Sequence, residues 1–530
     1  DGVPSLADAL RMLRAQVERT PPPQWVRVVG GWSEFQFKER RMPTLDEVNA
    51  LSGDTPVFIL HLYDRALLNG AALRAVGYTK DTPDPPGGHM ERDRSGNPTG
   101  LLIARPNAAI LYATLAKGPK LSPEDQVNSS RQFLREMNRF GVTSIIDAGG
   151  GFQNYPDDYK VIEELHRRGQ LSVRIAYNLF TQKKGEELED FDRWVKLVRP
   201  GEGDEFYRMN GAGEMLVFSA ADFEDFLEPR PDLPRTMENE LAKVVTLLAR
   251  NRWPFRLHAT YNESIERFLN VLESVNRETP LTALRWFFDH AETISERNLE
   301  RVKALGGGIA IQHRMAFQGE YFLERYGKTA AERTPPFAQM LRAGLPVGAG
   351  TDGTRVASYN PWVALYWLVS GRTVGGTSLY PAGNRLDRME ALRLFTVGSA
   401  WFSGEEERKG RIVSGQLADL AVLSADYFSV PEEQIKGIES LLTIVGGRVV
   451  YGSGPFKALG PEPPAVSPGW APVGGYGGHR RERGGETGWR APADSRSGAI
   501  ASTAGSPGRI PRGSSPGELW GAHGCHCFSF

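Results

Sequence analysis

Three residues stand where chemistry could be done. His258 closes the apolar run Pro254-Phe255-Arg256-Leu257-His258, His290 closes Trp286-Phe287-Phe288-Asp289-His290, and Asp352 follows Pro346-Val347-Gly348-Ala349-Gly350-Thr351. The histidines are 32 residues apart, one strand–helix unit, and the aspartate lies 62 residues further on, two units. In a parallel sheet this spacing puts all three at the C-terminal ends of strands, with one strand skipped between the second and third. Two neutral imidazoles and a carboxylate converging there suit a divalent metal such as zinc. Taken singly, a strand-end histidine is more often a cap or a satisfied core residue, and an aspartate after a strand is often only a helix N-cap. The shared period is what joins the three.

The elements that must position them begin at residue 122, where apolar runs alternate with amphipathic helices. The runs 142–146, 172–177, 212–218, 255–258, 284–290, 308–312 and 346–350 read as strands, and 122–139, 237–250, 263–275 and 296–305 as helices. Repeated units of this kind predict an α/β fold with a parallel sheet, either doubly wound or closed into a (β/α)8 barrel. No glycine-rich phosphate fingerprint follows any strand, so the barrel is favoured. Ahead of it, Ser5 caps a helix that runs to the prolines at 21–23, 25–30 and 57–61 read as short strands, and 81–100 is a Pro/Gly/Asp-rich excursion. After it, 388–402 reads as a helix, and 411–413, 417–423 and 442–451 as strands of a small antiparallel domain. From Pro461 onward, 15 Gly and 9 Pro in 70 residues indicate low-complexity disorder. The expected divisions are an N-terminal helix and insertion (1–120), a barrel domain (121–402), a small β domain (403–455) and a disordered tail (456–530).

Composition removes several classes of function. Lys plus Arg number 63 against 64 Asp plus Glu, which lacks the basic excess of a protein that neutralises a phosphate backbone, so no nucleic-acid partner is expected. No apolar run approaches the roughly 20 residues needed to cross a bilayer, and no membrane partner is expected. The only cysteines, Cys525 and Cys527, lie in the tail and offer no disulfide framework or cysteine metal cluster. A cytoplasmic location is expected, with any N-terminal signal lying ahead of Asp1.

The motifs around the three residues resemble those of a known family. His258-Ala259-Thr260, Asp289-His290-Ala291-Glu292-Thr293-Ile294 and Gly350-Thr351-Asp352-Gly353 look like the signatures on strands five, six and eight of the amidohydrolase superfamily. Lys409-Gly410-Arg411-Ile412, Gly415-Gln416-Leu417-Ala418-Asp419-Leu420-Ala421-Val422-Leu423 and Thr443-Ile444-Val445-Gly446-Gly447-Arg448-Val449-Val450 are similar to its C-terminal signature. Upstream, Leu67-Leu68-Asn69, Pro85-Pro86-Gly87-Gly88 and Gly96-Asn97-Pro98-Thr99-Gly100 resemble the insertion of amidohydrolase family 3, the branch of YtcJ-like proteins and N-substituted formamide deformylases. The resemblance covers residues 1 to about 452.

The resemblance implies that His258 and His290 bind a divalent metal, zinc or another, with one or two ions in the intact family. Asp352 would bind metal and also shuttle the proton. The strand-four lysine of the family is absent from Gly211-Ala212-Gly213-Glu214-Met215-Leu216, and Glu214 could supply the same charge. Gln312, His313 and Arg314 follow strand seven, where the family contacts substrate, and Arg65 stands where the insertion commonly has a histidine. No His-x-His pair occurs in the folded region. The family's first strand carries that pair, so the expected fold is a distorted (β/α)8 barrel lacking its first strand, with a remnant of the small β-sandwich domain. The implied activity is metal-dependent hydrolysis of an amide or N-formyl C–N bond in a small molecule, impaired by that loss. The alternative is a catalytically silent fragment or small-molecule binding module. A homodimer is left open.

Overall fold

The computed structural model describes residues 2–473, apart from 86, 106–107, 150–153, 224–225 and 227–229, and also residue 479. The first helix, Leu6–Arg19, starts where its sequence directs: the Ser5 hydroxyl accepts from the amide of Asp8, and the helix ends before the prolines.

Five strands then form a separate sheet: β1 (Val26–Val29), β2 (Val57–His61), β3 (Arg65–Leu68), β4 (Gly88–Arg92) and β5 (Pro98–Ala104), in the order β1-β2-β3-β5-β4. The stretch 81–100, expected to be irregular, contributes β4 and the start of β5. They meet at a turn in which the Asp93 carboxylate accepts from the amides of Ser95 (2.8 Å) and Asn97 (2.9 Å), and Gly96 takes the left-handed backbone at φ 85°. The punctuating residues at 93–97 are thus a hairpin turn, which hid the two strands on either side.

The regular region folds into a parallel sheet of seven strands in sequential order: β6 (Ser144–Asp147), β7 (Arg174–Leu179), β8 (Tyr207–Ala212), β9 (Phe255–Ala259), β10 (Trp286–His290), β11 (Gly308–Ile311) and β12 (Val347–Ala349). Helices between the strands cover its outer face, and Asn262–Glu278, for example, buries Phe268, Leu269 and Leu272 completely. The sheet is open. Its edge strands β6 and β12 do not pair with each other, but residues of both border one cavity, so the sheet curls toward a barrel without closing.

One strand differs from its expected position. The third of the seven, β8, runs over Tyr207–Ala212 and not 212–218. Arg208 and Asn210 gave that segment a polar look, yet Arg208 pairs with Glu405 at 3.0 Å, and the Asn210 amide donates to Asn178 and to the Phe402 carbonyl, both at 3.2 Å. The apolar residues Met215, Leu216 and Val217 are buried in the loop that follows. The helix Pro361–Ser370 is buried along its whole length.

Beyond the barrel, β13 (Leu420–Leu423), β14 (Ser440–Val445) and β15 (Arg448–Gly452) form one antiparallel sheet. Residues 411–413, expected as a strand, are irregular: the Arg411 amide is taken by the Gln416 side chain at 3.0 Å, and Ile412 is 87% exposed. The start of the expected tail is placed. Gln132 donates to the Pro464 carbonyl (2.7 Å), Asn128 to Ala465 (2.5 Å) and Gln16 to Trp470 (2.6 Å), so this segment links the helix Pro123–Arg139 to the first helix. Residues 474–478 and 480–530 lie outside the described residues.

The five-stranded sheet is fastened to the barrel through a buried charged cluster. His61, fully buried, has Nδ1 2.7 Å from Asp64 and Nε2 3.0 Å from Glu34. Arg65 pairs with Asp64, and Tyr321, on the barrel helix Met315–Tyr326, donates to Glu34. Burial opposes a charge on His61, but the two carboxylates outweigh it and push the ring up to about 9.

Candidate metal centre

Glu214, His258 and His290 come together at the C-terminal ends of β8, β9 and β10, each offering a ligand atom within 4.8 Å of the others. Glu214 Oε2 lies 3.3 Å from His290 Nε2 and 3.7 Å from His258 Nδ1. Donors bound tetrahedrally at about 2.1 Å from one ion are separated by about 3.4 Å, so the trio fits a zinc-sized cation with little movement.

Backbone geometry aims each of the three. A side chain at Gly213 would stand 2.7 Å from the Ala148 carbonyl, and its absence lets the Gly213 amide donate to Leu179 (2.6 Å) and the Glu214 amide to Ala148 (3.3 Å). Glu214 is thereby pinned just past the end of β8. Its own carbonyl accepts from the His258 amide at 3.0 Å. On β10, Asp289 and His290 are consecutive, and alternation along a strand would send them to opposite faces. His290 instead takes φ 77°, and both residues line the same cavity. Asp289 grips Arg256 through two bonds of 2.6 and 2.5 Å. Burial raises the Asp289 carboxyl to about 6 despite that arginine.

The surroundings set the charge states of two members of the cluster. Burial, with Arg314 and His258 adding to it, lowers His290 to about 3, so its ring is neutral and a nitrogen lone pair is available. Burial works to raise Glu214, but its hydrogen bonds with His258 and His290 prevail and hold it well below the usual carboxylate range.

The other expected site residues fall into two groups. Gln312 lines the cavity, its Nε2 3.2 Å from His290 Nδ1 and 3.0 Å from Glu292. A cation on Nε2 would leave the ring proton on Nδ1 and would call for the carbonyl end of this amide, which has nearly the same shape. Asp352 lies outside the cluster of three. It lines the same cavity, with its backbone at φ 50°, and its Oδ2 is 3.4 Å from Arg314. Arg314 is almost fully buried and also lies 3.3 Å from Glu292. His313 is fully buried and makes no hydrogen bond among the described residues; burial lowers it to about 3. It is not among the residues that line the cavity.

Two residues were not singled out as site candidates by the sequence. Glu292, within the run Asp289-His290-Ala291-Glu292-Thr293-Ile294, accepts from Gln312 at 3.0 Å and stands 3.3 Å from Arg314. Asp222, fully buried, accepts from the amides of Thr260 (2.9 Å) and Tyr261 (3.0 Å) and stands 3.5 Å from His258 Nε2. Burial raises it to about 6. The cavity has a volume of about 1380 Å³, and Tyr63 and Tyr112 reach it from the five-stranded sheet and the helix Ala109–Leu115 that follows it.

Comparison with known proteins now bears on this site. The family model described as the amidohydrolase family matches residues 1–451. The chain belongs to this family. Among curated amidohydrolase relatives, it is 24% identical over 457 residues to the putative amidohydrolase YtcJ of Bacillus subtilis (strain 168), covering 83% of this chain and 82% of that protein. It is 25% identical over 460 residues to the N-substituted formamide deformylase of Arthrobacter pascens, covering 84% and 82%. Among solved structures, an uncharacterized metal-dependent hydrolase from Pyrococcus horikoshii OT3 aligns with a TM-score of 0.55 at 20% identity over 82% of each chain, a likeness of fold. No helix among the described residues of this amidohydrolase is long and apolar enough to cross a membrane.

Proposed function

We propose that this chain is a metal-dependent hydrolase that cleaves an amide or N-formyl C–N bond in a small molecule. The observation that carries the proposal is the convergence of Glu214, His258 and His290 at the strand ends, beside a cavity that also holds Asp352. The naming of one relative as an N-substituted formamide deformylase supports the choice of bond. Glu214, His258 and His290 would hold the cation. When bound, it supplies Lewis acidity, polarising a carbonyl and acidifying a water.

The chain's own groups do the rest. Asp352 accepts a proton from the attacking water and returns it to the departing nitrogen. Arg314, 3.4 Å away, holds its carboxylate in place. Gln312 orients His290, and Phe180, Phe218 and Phe223 form an apolar wall against which the substrate's substituent packs. Partners are small molecules, and the cation is zinc or a similar divalent metal.

The open edges of β6 and β12, with three clustered ligands among the described residues, favour a second reading. In it, cation binding is weak and the chain acts as a silent small-molecule binding module. Zinc titration followed by a formate-release assay on N-substituted formamides separates the two. Zinc-dependent turnover that disappears in Glu214→Gln and His290→Ala supports the hydrolase. Ligand binding without turnover supports the silent module, and a chain that binds no zinc at all removes the metal site.

A further inference from the structure

We propose that Asp222 is a positioning residue that fixes which nitrogen of His258 faces the cation, a role that builds on the metal-hydrolase reading above. Asp222 follows the short turn Phe218–Ala220 and is fully buried against the end of β9. Its Oδ2 accepts from the backbone amides of Thr260 and Tyr261, at 2.9 and 3.0 Å. These donors come two and three residues after His258, so the same carboxylate that faces the ring also holds the loop leaving it. Oδ1 is buried with no hydrogen-bond partner among the described residues, and His258 Nε2 stands 3.5 Å from it. Leaving a carboxylate oxygen buried without a donor is costly, and a small rotation of the ring would supply one.

The opposite side of the ring gives this contact its meaning. His258 Nδ1 faces Glu214 at 3.7 Å and is the ring atom that points into the cluster. A proton on Nε2 leaves the Nδ1 lone pair for a cation, whereas a proton on Nδ1 would block it. The Thr260 hydroxyl, 3.3 Å from Nε2, could donate or accept there. A carboxylate accepts more strongly than a hydroxyl, so the pair Asp222 and Thr260 draws the proton to Nε2.

The test uses the full chain, labelled with ¹⁵N-histidine and freed of metal at pH 8. Two-bond ¹H–¹⁵N correlations report the tautomer, and His258 is assigned by the signals lost in His258→Asn. A protonated Nε2 on His258 is expected; an unprotonated Nε2 with the proton on Nδ1 overturns the proposal. In Asp222→Asn the side-chain carbonyl can still accept from Thr260 and Tyr261, but its amide now donates to Nε2. That variant should move the proton to Nδ1 and weaken Co²⁺ binding by about 10–100-fold, read from the cobalt absorption bands. Unchanged tautomer and Co²⁺ affinity in a folded Asp222→Asn chain would also overturn it. Should that variant fail to fold, the wild-type tautomer decides alone. A wild-type chain that binds no Co²⁺ defeats the metal-site reading, while the tautomer still reports separately on Asp222.

Discussion

Raising the pH should loosen the five-stranded sheet from the barrel, and the buried His61 cluster sets the size of the effect. His61 is held between Glu34 and Asp64 and titrates at about 9 when folded, against an ordinary value of 6.5. A folded value above the unfolded one means that the stabilisation is complete below pH 6.5 and is lost as the pH climbs through about 9. At about 1.4 kcal/mol per pH unit, the gap corresponds to about 3 kcal/mol. The acid limit has the opposite sign. Glu34 and Asp64 both titrate below their ordinary values, so their contribution is present above the usual carboxylate range and fades as the pH falls through the depressed values. The assay is hydrogen exchange of β2 and β3, corrected for intrinsic rates, between pH 6 and 10. The opening free energy should fall by about 3 kcal/mol across that span in the wild type and stay nearly flat in His61→Gln. A wild-type profile flat to within about 0.5 kcal/mol, or an equal decline in both proteins, would refute a charged His61.

Three further outcomes follow from the site and its surroundings. In the metal-loaded chain, Asp352→Asn should lower turnover by about 10²–10⁴-fold with metal content unchanged, because Asp352 stands outside the cluster of ligands; a parallel loss of metal by elemental analysis would contradict this. Asp289→Ala strands the buried Arg256 and should destabilise the chain by about 3–5 kcal/mol in urea, whereas the pair change Arg256→Met with Asp289→Leu should recover most of that; equal losses would show that the charge is not what matters. Ending the chain at residue 460 should lower the thermal midpoint by a few degrees, because the bonds from Gln132, Asn128 and Gln16 go with it; an unchanged midpoint would show that they carry no stability.

The period of the strands was legible because β9 and β10 are largely buried and so show clustered apolar residues, Phe255 and Leu257 in one and Trp286 through Phe288 in the other. That alone located His258 and His290. The same logic misplaced β8, where Arg208 and Asn210 find partners at Glu405 and Phe402, nearly 200 residues away in the chain. Polar strand residues of this kind are satisfied by tertiary contacts that no local pattern records. Asp222 was invisible for a related reason: its hydrogen bonds from Thr260 and Tyr261 come from backbone amides, which every residue but proline possesses.

What spacing cannot show is direction. A strand end delivers a side chain to the right level of the sheet, but the last dihedral angles decide where it points. At this site they depart from strand values, with φ 77° at His290, 52° at Ala291 and 50° at Asp352. Such angles are unfavourable for residues with a Cβ and persist only where the surroundings hold them. Here the holding contacts are visible, the Ala291 amide on the Ala259 carbonyl at 2.8 Å and Arg314 on Asp352 at 3.4 Å. His290 is thereby turned toward Glu214, and Asp352 is kept at the cavity wall, outside the ligand cluster where its spacing had put it. In the reading proposed above, this backbone divides roles that the period left undivided: three residues would hold a cation, and Asp352, beside them, would carry the proton.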